Sequence, residues 1–135
     1  MAELLVPYGP ALAAWLGLGA ACLVQALVAD VAAIRAHHTP GMPVTGGHDD
    51  FLFRATRAQA NTNESLSVFV VLSLAGILLG ASPWWTNRLA WGFAVGRFGH
   101  MLAYYADLRS LRSASFGLGF ACLVGLLVVG IAALA

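Results

Sequence analysis

Four apolar stretches, at roughly residues 10–35, 51–79, 84–107 and 113–134, leave this chain few folds to choose from. A bilayer's hydrocarbon core is about 30 Å thick, which about 20 mostly apolar residues cross as a helix. Backbone inside that core must close its own hydrogen bonds, so only helices and closed barrels span it. No stretch alternates apolar and polar residues with period two, which excludes a barrel. Composition agrees: 60% of the 135 residues are hydrophobic and 10% are charged, where a soluble domain carries about 25% charge. The expectation is an all-α chain, one domain over residues 1–135, folded as an integral membrane four-helix bundle. The net charge of +1 supplies no basic field for nucleic acid. The start, "MAELLVPYGP", has no positive n-region, and the apolar stretch behind it is too long for a signal peptide, so it reads as a retained span.

The connections are punctuated by residues that break helices. "HHTPGMPVTGGHDD" is a Pro- and Gly-rich loop. "GASPWWTN" ends one helix and opens the next, with Ser82 before Pro83 as the cap. "DLRSLRS" is the third turn. Arg35, Arg54, Arg57, Arg109 and Arg112 gather at the first and third loops, against only Arg88 at the second. Positive charge marks the cytoplasmic side, which puts loops one and three inside and both termini outside. Tyr8, Trp15, Trp84 and Trp85 then form an outer interfacial belt. All seven basic residues are Arg, and the Arg, Ala and Gly bias points to a bacterial inner membrane.

Charge enters the apolar helices in stripes. Arg54, Arg57, Asn61 and Glu64 are spaced 3, 4 and 3 apart, which is one helix face. At ~1.5 Å rise per residue, a helix entering near Phe51 carries Arg57 ~9 Å and Glu64 ~20 Å inward. Arg97, His100, Tyr104 and Asp107 repeat that spacing on the third helix, and the first contributes Asp30 and Gln25. A charge at helix centre costs roughly 2.5–3.5 kcal/mol on insertion scales, so these residues face a bundle interior, a neighbouring subunit or a wet cavity. Two readings follow: ion pairs joining helices, such as Glu64 with Arg97 or Arg57 with Asp30, or a polar ligand site in the cytoplasmic half. The number of converging groups favours the site, with Glu64–Arg97 kept as a structural pair.

Other residues carry less. His37, His38 and His48 lie in a loop without metal-ligand spacing, and no metal site is expected. Cys22 and Cys122 sit in apolar runs as small hydrophobes. Gly92 with Gly96, and Gly117 with Ala121 and Gly125, form small-residue rows that let helices approach closely.

"RATRAQANTNESLSVF" resembles the second-helix signature of the MAPEG family, the membrane-associated proteins in eicosanoid and glutathione metabolism. The family pattern Arg-Ala-x-x-Asn-x-x-Glu falls on Arg57, Ala58, Asn61 and Glu64. "GRFGHMLAYYADLRSLRS" resembles the stretch from helix three into helix four, most closely in the microsomal prostaglandin E synthase branch, at Gly96, Arg97, His100, Tyr104, Arg112 and Ser113. The resemblance implies a homotrimer with glutathione between adjacent subunits, toward the cytosolic side. It implies that Arg57, Asn61 and Glu64 contact the tripeptide, that His100 and Tyr104 line the pocket, and that Arg112, with Ser113 beside it, adjoins the thiol. Arg54 belongs to the same stripe, and Arg35 matches a first-helix arginine. The chain departs from its relatives at Phe53, where an acid often stands, and at Ser65 and Phe116, each in place of a Tyr. Its third turn is one residue shorter than in the prostaglandin branch.

Glutathione has two carboxylates, which arginines bind through paired charge-assisted hydrogen bonds, and a thiol that becomes nucleophilic beside a cation. The expected function is a membrane-embedded glutathione-dependent transferase or peroxidase that attacks a lipophilic electrophile or hydroperoxide arriving through the bilayer. The alternatives are a non-catalytic lipid- or thiol-binding membrane protein of the same family, and a small four-helix exporter. The exporter reading is weakened because Asp30 lies near a helix end and the arginines repel cationic cargo.

Overall fold

A computed structural model describes residues 2–135. Four long helices make up the fold: α1 (Gly9–Arg35), α2 (Phe51–Leu78), α3 (Pro83–Tyr105) and α4 (Arg109–Ala132). A helical turn, Ala2–Leu5, and a 3-10 turn, Val6–Tyr8, precede α1. The fold is all-α among the described residues, as the apolar stretches predict. Three segments, Glu3–Arg35, Phe51–Leu78 and Arg109–Ala132, are long and apolar enough to cross a membrane. At 23 residues α3 is about 35 Å long. Its mean hydropathy is diluted by Asn87, Arg88, Arg97 and His100, and Arg97 and His100 are buried inside the bundle.

The helix ends account for the boundaries. Asp50 caps α2, its carboxylate accepting from Leu52 N at 2.9 Å. Ser82 holds the cap position of α3 but its side chain makes no capping bond; Pro83 behind it has no N–H to satisfy. Helix α2 stops in a Schellman turn: Gly80 has φ +70°, and Ala81 N reaches Gly76 O at 2.9 Å. The other two loop-side ends use the same device without glycine. His37 (φ 51°) closes α1 and Asp107 (φ 53°) closes α3, with His38 N on Ala33 O at 3.0 Å and Leu108 N on Ala103 O at 2.8 Å. The sharp reversal at Asp107 shortens the third connection to residues 106–108. Helix α4 therefore starts at Arg109, earlier than the sequence suggests, and Arg112 and Ser113 stand on its first turns instead of in a loop.

The bundle is apolar at one end and polar at the other. Near the chain termini, Ala11, Ala14, Leu18, Phe69, Ala90, Phe93, Ala94, Cys122 and Leu126 form the core, with the Phe69 and Phe93 rings stacked at 4.4 Å. Tyr8 and Trp15 are not members of an outer belt. Tyr8 is buried, its hydroxyl donating to Ala81 O, and Trp15 Nε1 donates to Ser73 Oγ at 3.1 Å. Each tip has a polar acceptor inside the bundle, which a lipid-facing ring would lack. Trp84 and Trp85 are exposed as expected. Asn87 braces the N-terminal turns, accepting from Ala11 N at 3.1 Å and donating to Pro7 O at 2.9 Å.

Helices α3 and α4 meet along small residues. A Cβ on Gly96 would lie 2.9 Å from Gly119 N and 3.0 Å from Ser115 O, and one on Gly92 would lie 2.7 Å from Cys122 Sγ. The α4 side of this seam is Ser115, Gly119, Cys122 and Leu126, all buried. Of the predicted row, Gly117 and Ala121 instead face outward, with nothing within 4 Å of a Cβ on Gly117, while Gly125 packs on α3, where a Cβ would lie 2.7 Å from Leu89 Cδ2. Periodicity alone does not distinguish two small-residue rows on one helix. Gly96→Ala should therefore cost about 1–3 kcal/mol by overpacking against backbone, whereas Gly117→Ala should be neutral or stabilise by up to ~1 kcal/mol. Unfolding of both variants in detergent measures the contrast.

Candidate functional site

Arg97 organises the polar end of the bundle. It is 2% exposed, and an Arg stays charged when buried. Its Nη1 donates to Asn61 Oδ1 of α2 at 2.5 Å and reaches Ser65 Oγ at 3.5 Å. Its guanidinium lies 5.6 Å from the Phe93 ring centroid and 5.5 Å from that of Phe116, within cation–π range. Gly119 on α4 makes room for it: a Cβ there would sit 2.8 Å from Arg97 Nη2. Arg97 is thus held by an amide and a hydroxyl, not by Glu64, which is exposed. Asp30 is also exposed and lines a separate groove with His38 and Gln59, away from Arg57. Gln25 donates to Thr62 Oγ1 at 3.1 Å inside the bundle. Fewer groups converge than the stripes suggest.

One turn along α3 from Arg97, His100 is buried, and its Nδ1 has no hydrogen-bond partner among the described residues. Its ring meets Tyr104 edge-on at 5.0 Å. Arg112, from the start of α4, lies over the Tyr104 ring at 4.6 Å, and its Nη1 is 3.1 Å from His48 Nδ1. Asn61, His100, Tyr104, Arg112, Ser113 and Phe116 enclose a recess of about 280 Å³. An apolar recess of about 240 Å³ adjoins it, sharing Asn61 and Phe116 and adding Glu64, Ser65, Arg97, Phe93 and Phe120. Each alone is smaller than the roughly 300–1,000 Å³ usual for a small-molecule site.

Arg97, His100 and Tyr104 of the α3 stripe therefore turn inward as their spacing predicts, whereas Asp107 lies past the end of the helix with φ 53° and lines neither recess. Asn61, Glu64, His100, Tyr104, Arg112 and Ser113 come together across the two recesses. Three predicted residues stand apart within one chain. Arg54 donates to the His48 carbonyl and lies beside the Phe51 ring. Arg57 is exposed on α2. Arg35 lines a groove of about 580 Å³ between α1 and α2, with Asp50 and Phe51. Among the described residues no group of three or more His, Cys, Asp or Glu side chains is placed to hold a metal ion.

Two participants escaped the sequence reading. Ser65 was legible in principle, one turn beyond Asn61 on the same face. His48 was not, because nothing in a loop's spacing reports which side chain folds back over a helix end.

The electrostatics of the paired recesses favour an anion. Arg97 and Arg112 bring two cations, Asn61, His100, Tyr104 and Ser113 bring hydrogen-bonding groups, and Glu64 is the one acid on the lining.

The model of the MAPEG family matches residues 10–132, nearly the whole chain, and the chain belongs to that family. No curated protein matches it.

The Arg97 anchorage yields a stability prediction. Asn61→Leu removes a hydrogen bond to a buried cation and should cost about 1.5–3 kcal/mol. Ser65→Ala removes a contact at the limit of hydrogen-bonding distance and should cost under ~1 kcal/mol. Denaturant unfolding in detergent distinguishes the two.

Proposed function

We propose, from the premise of MAPEG membership, that this protein is a membrane-embedded glutathione-dependent transferase or peroxidase. Glutathione occupies the paired recesses as an anion, and its thiol lies beside Arg112. The observation that carries this reading is the recess itself: Arg112, Ser113, Asn61, His100 and Tyr104 around one opening, with a net positive lining. Arg112 stabilises the thiolate electrostatically. Lowering a thiol's proton affinity a hundredfold takes about 2.7 kcal/mol, an energy within reach of one close cation in a partly dry site. Ser113 stands next to it as a hydroxyl donor to sulfur. Asn61 and Glu64 answer the peptide's amides and ammonium.

The sulfur lone pair forms the new bond to an electrophilic carbon, whose adjoining C=C π bond opens and takes up a proton from water, or to the distal oxygen of a lipid hydroperoxide. In the second case the O–O bond breaks, an alcohol leaves, and a second glutathione returns the sulfur as a disulfide with release of water. The electrophile is lipophilic and enters from the bilayer along Phe116 and Phe120, which are exposed on α4. Its orientation against the held thiolate supplies the rate enhancement.

The small size of each recess and the placing of Arg35, Arg54 and Arg57 outside them support a site completed by neighbouring copies in a homotrimer. Those arginines then meet glutathione's carboxylates from the surrounding faces. The bacterial inner membrane, with loops one and three cytoplasmic, is the proposed setting.

Ultraviolet difference absorption of bound thiolate tests the reading. Glutathione should raise a thiolate signal in the native protein. Arg112→Ala should remove it and lower kcat by about a hundredfold, with glutathione still bound. Glutathione binding without thiolate in the native protein identifies a non-catalytic binder instead, and full turnover by Arg112→Ala ends the role given to Arg112.

A further inference from the structure

We infer that His48, in the loop between α1 and α2, is a positioning residue that sets the Arg112 guanidinium over the recess. The inference rests on the reading of Arg112 given above and concerns how the fold aims it.

Arg112 projects from the first turn of α4, half-buried. A long side chain at a helix start has many rotamers, and holding one of them needs contacts. Two are present. The guanidinium lies over Tyr104 at 4.6 Å, which fixes its plane but lets it slide. The bond from Nη1 to His48 Nδ1 at 3.1 Å fixes its direction. Arg has donors only, so His48 Nδ1 is the acceptor in this contact and the ring proton sits on Nε2.

The histidine is itself tightly placed for a loop residue. Its ring stacks on Tyr104 at 6.1 Å and 29°, and meets Phe53 edge-on at 5.3 Å and 88°. His48 and Arg112 thus share one aromatic platform. Its carbonyl accepts from Arg54 of α2. The turn holding it closes with Asp50 N on Gly47 O at 3.0 Å, and Asp50 then caps α2. Gly46 lies against the same turn: a Cβ there would sit 2.5 Å from Asp50 Oδ2 and press on the capping side chain. Loop one is therefore pinned at His48 between an arginine from α2 and an arginine from α4, and Arg54 acts through that loop.

The test separates the acceptor atom from the ring. Asn places its Oδ1 close to where the His Nδ1 stands, so His48→Asn keeps an acceptor without the ring. His48→Phe keeps an aromatic ring without an acceptor, and His48→Ala keeps neither. In the full-length protein in detergent, the readouts are the thiolate signal of bound glutathione across pH, kcat, and KM for glutathione. His48→Phe and His48→Ala should move thiolate formation to higher pH and lower kcat by between about ten- and a hundredfold, the range expected when a reacting group is displaced by an ångström or so. KM should change by less than about threefold, because the contacts to the peptide's carboxylates, amides and ammonium are untouched. His48→Asn should recover most of the lost signal. Native activity in His48→Phe, or a His48→Asn variant as impaired as His48→Ala, overturns the inference and leaves Arg112's role standing. Absence of thiolate in the native protein is seen before any His48 variant is made, and overturns the Arg112 reading together with this one.

Discussion

The burial of one guanidinium governs the polar half of this protein. Arg97 cannot shed its charge and cannot face hydrocarbon. Helix α3 must turn that face inward, α2 must answer with Asn61, and α4 must give way at Gly119 so that the side chain fits. Three helices are brought together by one side chain's needs. Once α3 is oriented by Arg97, His100 and Tyr104 follow on the same interior line, and the start of α4 closes over them with Arg112.

The rest of the bundle frames this constraint. At the opposite end, stacked phenylalanines, alanines and glycine seams pack without charge. Hydrogen bonds from Tyr8 and Asn87 tie the N-terminal turns to the α2–α3 connection and the start of α3, and Trp15 ties α1 to Ser73 of α2. A rigid apolar end and a polar, recessed end suit a protein that presents ionic groups to water while standing in lipid. Loop one belongs to the polar end: its own turn is closed, and its residue 48 is clasped between two arginines, one of which lines the recess.

The architecture was legible because each physical cause leaves a mark in the sequence. Apolar length marks the spans, Pro and Gly mark the turns, and the 3-4 spacing of Arg97, His100 and Tyr104 marks an inward face. What escaped depended on three-dimensional choice. His37 and Asp107 adopt the left-handed conformation that glycine usually signals, so the early start of α4 was hidden. Spacing shows that Arg97 needs a partner but not that neutral Asn61 takes the place of Glu64. The small residues of α4 look alike until Gly119 and Gly125 pack on α3 and Gly117 does not. His48's position follows from how the loop folds back, which no periodicity encodes.

The central claim is that α2, α3 and α4 enclose a recess open to water that receives the anionic tripeptide. Cysteine labelling tests it most directly, in a background with Cys22 and Cys122 replaced. A charged maleimide should label cysteine introduced by Ser113→Cys, and S-methylglutathione, whose thioether sulfur neither exchanges with a cysteine nor reacts with maleimide, should slow that labelling saturably. Cysteine from Thr45→Cys, exposed on loop one, should label at the same rate with or without it. No labelling at position 113, or labelling there that the peptide never slows, would contradict the account.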